Sequence, residues 1–341
     1  MSDRRPAYIA ISLALSVLLM GLLISRIDAA ELGRALARIF VPGLLAYMAI
    51  ALLGAGLRAW RYKLFLRPRP VRWPDILMAT FIRNSFVDLL PARLGSLSLI
   101  YVLNKRLGVP FEAATSAFVA AFAYDFLTLA PFVVGAALIV GLGATAISSP
   151  ALLAVAGAFF VVWVLVLARL AWFFRLAIRV YERAARLFRL DTKKWAVPVK
   201  AKLEATAESL AVIQEKRLAL PFFALSVAIR ACKYVSIYFL LFALMRSLGF
   251  GFPDLSVWKL ILGITGAELT SVLPVKGLAG FGTWESAWAL TFGLMNIDQR
   301  FAVLSGLGVH LVTNIFEYSL GIGSLLALAM PFARRKADPR P

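Results

Sequence analysis

Arg93 and Lys276 are cations placed where an apolar chain rarely carries them. The first lies in Leu90-Pro91-Ala92-Arg93-Leu94-Gly95 and the second in Leu273-Pro274-Val275-Lys276-Gly277, each inside an otherwise apolar stretch. Proline removes a backbone donor and stops a helix, and glycine frees the backbone that follows. A cation a few residues from a fresh helix start is a phosphate-binding arrangement, because the free N–H groups and the helix dipole already favour an anion. Gly95, and Gly280 and Gly282 in Gly277-Leu278-Ala279-Gly280-Phe281-Gly282, would let the backbone approach such a ligand closely. The plainer alternative is a hairpin-tip cation snorkelling to a lipid headgroup. The glycine run follows no strand and sits in a membrane segment, so dinucleotide binding is excluded.

Further ionisable groups fall at membrane depth, where each costs about 2.5–3.5 kcal/mol on insertion scales and so calls for a partner or a function. His310, Thr313, Asn314 and Glu317 share one helix face, as do Ser226, Arg230, Lys233 and Tyr234. Arg230 and Glu317 are expected to pair, an arrangement that structure alone would also explain. Tyr124 and Asp125 are central in another segment, with Arg83, Asn84 and Asp88 as prospective partners, and Glu268 and Glu285 flank the second break. Acidic groups here suit a cationic headgroup or proton carriage. The expected polar path therefore comprises Asn84, Asp88, Asp125, Arg230, Lys233, Glu268, Glu285, His310, Asn314 and Glu317.

These residues need helices to hold them. Hydropathy predicts six full spans, near Tyr8–Ser25, Val41–Leu57, Phe111–Val140, Ala151–Trp172, Leu218–Met245 and Phe301–Met330. Two broken segments run near Asp75–Leu107 and Leu255–Met295 and read as re-entrant hairpins. The apolar N-terminal run is too long for a signal peptide's core, so a retained first span is expected. Arginines follow the second span (Arg58, Arg61) and the fourth (Arg175, Arg179, Arg183), and Arg334, Arg335 and Lys336 close the sequence, whereas 141–150 is uncharged. By the positive-inside rule both termini are then cytoplasmic. The two hairpin units, about 41–140 and about 218–330, acquire opposite orientations, the layout of an inverted repeat with its site between the repeats. Two ordinary kinked helices are the alternative. Residues 175–217 read as amphipathic helices lying on the inner leaflet.

The expected fold class is thus an all-α polytopic membrane protein forming one domain. Composition agrees: of 341 residues, 61% are hydrophobic and 16% charged, with mean hydropathy +0.83. A formal net charge of +19 implies anionic inner-leaflet phospholipid as partner and no nucleic acid. One cysteine (Cys232) and one histidine (His310) leave no metal site and no cofactor to expect. No catalytic motif or nucleotide-binding signature appears, so the expectation is no enzyme activity. Gly54-Ala55-Gly56 suits close helix contact, within the chain or in a homo-oligomer.

With those residues in view, the chain resembles the lysylphosphatidylglycerol synthase transmembrane-region family, a flippase-like membrane domain, over nearly its whole length. The resemblance rests on Asn84 to Leu103 (NSFVDLLPARLGSLSLIYVL), on Ala123-Tyr124-Asp125, and on Leu273 to Glu285 (LPVKGLAGFGTWE). It implies a lipid-translocating or lipid-handling domain in a bacterial inner membrane. Asn84, Pro91, Arg93, Gly95, Asp125, Pro274, Gly280, Gly282 and Glu285 carry the pattern. Ser96 stands where the family has glutamate, and Tyr124 where it has arginine before Asp125, which points to a headgroup other than an aminoacylated one. The sequence includes no soluble aminoacyl-transfer domain, so synthesis of lysylphosphatidylglycerol is not expected. The function expected is translocation of a phospholipid or polyprenyl-phosphate-linked lipid, with a non-transporting accessory protein as the alternative.

Overall fold

The computed structural model describes residues 14, 16–25, 29–66, 71–87, 91–141, 219–270 and 277–329, with scattered positions between 150 and 208. Among the described residues every regular element is helical. Four helical stretches are long and apolar enough to cross a membrane: Val41–Phe65, Phe111–Val140, Leu220–Leu248 and Gln299–Ala329. The chain is a multi-pass membrane protein. The spans expected near Tyr8–Ser25 and Ala151–Trp172, and the connector 175–217, lie largely outside the described residues.

Helix α1 (Ala29–Ala37) precedes α2 (Val41–Phe65), which starts on a proline in its first turn, where a missing N–H costs nothing. A second early proline, Pro74, opens α3 (Trp73–Phe86), with Asp75 in its first turn favouring the positive end of the dipole. A 3-10 segment (Pro91–Leu97) then turns the chain into α4 (Ser98–Lys105). The third long stretch is α5 (Phe111–Leu127) followed by α6 (Leu129–Gly141). The later elements are α7 (Ala219–Met245), α8 (Val257–Leu269), α9 (Thr283–Leu294) and α10 (Gln299–Ala329). At 14, 8, 13 and 12 residues, α3, α4, α8 and α9 are each shorter than the roughly 20 residues a bilayer crossing requires.

Packing follows a mirrored plan. The longest contact joins α2 to α7; α3 lies against α10, while α8 lies against α6. Each short pair also packs on itself and on the long helix that follows it, α3 with α4 and α4 with α5, then α8 with α9 and α9 with α10. The hydrophobic core falls into two main clusters. One centres on Tyr62, Ile76, Leu99 and Leu103, the other on Leu240, Leu244, Ile264 and Trp288. Outward faces carry exposed Leu45, Leu53, Ile315, Ile322 and Leu326, the surface that lipid would cover.

One boundary corrects the sequence reading. Hydropathy ends the second span at Leu57 and assigns Arg58 and Arg61 to a cytoplasmic loop. In the structure α2 runs on to Phe65, and Arg61 is fully buried. Hydropathy stops at charge, but a helix continues wherever its charged side chains find partners inside the protein.

Candidate functional site

A cavity of about 190 Å³ is reached by side chains from both halves of the chain. On α2, Tyr47, Ala51, Gly54 and Arg58 follow one another at three- and four-residue steps, so a single face lines it. Arg83 and Asn84 enter from α3, Asp125 from α5, and Arg230, Cys232 and Lys233 from α7. The remaining walls are Glu268 on α8, Trp284 on α9, and His310, Thr313, Asn314 and Glu317 on α10. Asp125, Lys233 and Asn314 stand midway along their membrane-crossing stretches, so the cavity lies level with the middle of those helices.

At one end Arg61, fully buried, holds Asp125 through Nη1 at 2.7 Å and donates from the same nitrogen to Ser226 Oγ at 2.6 Å. Arg61 Nε and Nη2 are buried with no acceptor among the described residues. Arg58 and Arg83 stand close enough to feel both Asp125 and each other electrostatically. Three guanidinium groups thus act on one carboxylate, one of them in direct contact. At the other end Arg230 has three acceptors. Its Nη2 donates to the Asp125 carbonyl at 2.7 Å, and Nη1 to Glu268 Oε2 at 3.3 Å and to the Tyr234 hydroxyl at 3.4 Å. Lys233 pairs with the other Glu268 oxygen. Burying a charge is tolerable only when such partners replace water.

A third cluster supports the wall. Glu285 is fully buried; it accepts the Gly282 N–H at 2.8 Å and stands 2.5 Å from His310 Nδ1. This carboxylate therefore caps α9, satisfying a donor that the helix start leaves free. The imidazole is held between the Phe281 and Trp284 rings, at centroid distances of 4.7 and 4.8 Å.

Several expected site residues gather here: Asn84, Asp125, Arg230, Lys233, Glu268, His310, Asn314 and Glu317 all line the cavity. The expected Arg230–Glu317 pair does not form, because Glu268 on the short α8 reaches Arg230. Arg61, not Arg83 or Asn84, supplies the ion pair to Asp125. Glu285 meets the cavity only through His310. Gly95, expected beside a ligand, instead lies against α3, where a Cβ would sit 1.5 Å from the Phe86 carbonyl oxygen. Gly280 and Gly282 take positive φ, +83° and +87°, in the turn that starts α9, which side chains rarely permit. Asp88, Lys276 and the side chain of Arg93 lie outside the described residues. Arg58 and Arg61 were missed as site residues. Their signal was present, since Arg58 extends the spacing of Tyr47, Ala51 and Gly54, but counting them as loop charges hid it.

The family model described as the lysylphosphatidylglycerol synthase TM region matches residues 9–321. No curated protein and no solved structure matches. A match over most of the chain, together with helices that cross the membrane, places this protein in the lysylphosphatidylglycerol synthase transmembrane-region family.

Proposed function

We propose that this protein translocates a phospholipid or polyprenyl-phosphate-linked lipid across a bacterial inner membrane, with both termini cytoplasmic and no catalytic step of its own. The carrying observation is the charged cavity level with the middle of the membrane-crossing helices, walled by helices from both halves. A lipid headgroup crossing hydrocarbon needs such a polar station. The matched packing supports an inverted repeat in which α2 to α6 correspond to α7 to α10. The short pairs α3–α4 and α8–α9 act as re-entrant hairpins whose tips bring irregular backbone into the protein interior. With the two segments expected near Tyr8–Ser25 and Ala151–Trp172, this arrangement has six full spans.

Reconstitution tests the proposal. Liposomes containing the protein and a headgroup-labelled phospholipid are treated with dithionite, which bleaches only the outer leaflet. Translocation should make the inner-leaflet label accessible, and Glu268→Ala, which strips Arg230 and Lys233 of their shared partner, should slow it. Bleaching identical to protein-free vesicles would favour the accessory, non-transporting role.

A further inference from the structure

The cavity holds more hydrogen-bond donors than its own acceptors satisfy. Arg58 lines it yet forms no hydrogen bond or ion pair with any described residue. Arg83, only 6% exposed, makes a single hydrogen bond, from Nη1 to Asn84 Oδ1 at 3.1 Å, and its Nε is buried without an acceptor. Asn314, also 6% exposed, faces them from α10 with its Nδ2 likewise buried and unmatched. Of the carboxylates that line the cavity, Asp125 is engaged by Arg61 and Glu268 by Arg230 and Lys233, while Glu317 stands one turn from Asn314 on α10. Unmatched buried polar groups are rare in folded proteins, and each calls for an explanation. Of the residues that line the cavity, Arg83 and Asn314 carry such groups, and both groups are donors; Arg58 adds a second cation beside them.

We infer that Arg58, Arg83 and Asn314 form a binding site for a phosphate group, the anionic part of the ligand this cavity takes. A tetrahedral phosphate offers acceptors in several directions. It suits planar guanidinium forks, which pair with it bidentately, better than a point cation would. The Asn314 amide on the opposite helix adds a neutral donor and ties the two halves to the same ligand. This inference deepens the translocation reading and rests on it only for the phosphate belonging to a lipid. It also moves anion recognition from the hairpin-tip cations to the face of α2.

The chain carries its own reporter. Cys232 is the one cysteine in the sequence; it is partly exposed and lines the same cavity. The test is the rate of Cys232 alkylation by N-ethylmaleimide on the full chain, with four arms. Inorganic phosphate is compared with chloride at equal ionic strength, in detergent. Nanodiscs of phosphatidylglycerol are compared with nanodiscs of a phosphate-free galactolipid. Phosphate, phosphatidylglycerol or both should slow alkylation, and Arg58→Gln should weaken the half-protecting phosphate concentration by about tenfold, the effect of losing one charge-assisted contact. Protection by both sources assigns the site to the phosphate group itself; protection by the lipid alone assigns it to a headgroup delivered from the bilayer.

Arg58 forms no hydrogen bond or ion pair with a described residue, and Asp125, whose attraction it feels, keeps its ion pair with Arg61, so Arg58→Gln should fold. Asn314→Leu provides a second variant, expected to lose protection without a change of charge. Equal rates in all arms, or full protection in Arg58→Gln, would overturn the site. Dithionite bleaching on the same preparations separates the two claims. Translocation without Cys232 protection sinks the phosphate site alone, and protection without translocation sinks the carrier alone.

Discussion

Arg58 and Arg230 face one cavity from two packed helices, and almost everything around them differs. Arg230 is closed off by Glu268, the Tyr234 hydroxyl and the Asp125 carbonyl. Arg58 has none of these. A guanidinium anchored on several helices fixes the distance between them, here α7, α8 and α5. Donors left open in the interior, as on Arg83 and Asn314 beside Arg58, are an unrecovered desolvation cost, which a protein retains when a ligand completes the site. The comparison divides the cavity into a fastened end, at Arg230, Lys233 and Glu268, and a receptive end, at Arg58, Arg83 and Asn314.

The largest test of that division is Asp125→Ala. It leaves Arg58, Arg61 and Arg83 with no counter-charge, and removing one partner of a buried pair costs about 3–5 kcal/mol. The variant should lose most of its monodisperse peak in detergent gel filtration; an unaltered profile and melting temperature would show that the pair with Arg61 is dispensable. Glu285→Ala comes next, because it strands both the Gly282 N–H and His310 Nδ1 in the interior, at about 1–3 kcal/mol for each unsatisfied group. Its melting temperature should fall clearly, and Glu285→Gln, which can still cap the helix, should fall less. Gly95→Ala forces a Cβ against the Phe86 carbonyl and should cost about 1–3 kcal/mol through overpacking, read as a lower melting temperature.

At the fastened end, Lys233→Gln should be mild. The Lys233 side chain is 40% exposed, and exposed ion pairs contribute about 0–1 kcal/mol. Arg58→Gln sharpens the comparison most, since it should leave ligand-free stability level or slightly raised while phosphate protection is lost. A drop in melting temperature equal to that of Arg230→Gln would erase the distinction between the two arginines.

Much of the helical plan was legible in the chain. The long apolar runs and the prolines that open α2 and α3 mark starts that hydrophobicity and backbone chemistry impose locally. The face formed by His310, Asn314 and Glu317 follows from helical spacing alone, and all three line the cavity. Pairing was not legible. Arg230 could meet either Glu317 or Glu268, and only the position of α8 beside α7 selects the second. The end of α2 was misplaced for a related reason: whether Arg58 and Arg61 sit in a loop or a helix depends on Asp125 and Ser226, 64 and 165 residues away from Arg61 in sequence. Gly95, beside which the sequence suggests a ligand, has the carbonyl of Phe86 as its neighbour.

By itself the sequence determined a helical membrane protein, with two interrupted segments and a set of charges that hydrocarbon cannot accept. Those conclusions need only transfer energies and local backbone preference, both of which act residue by residue. The tertiary structure decided which charges neutralise one another and which donors remain open. Electrostatic pairing depends on distances between helices, and those distances exist only once α2 has packed on α7 and the two short helical pairs have been set between the long ones.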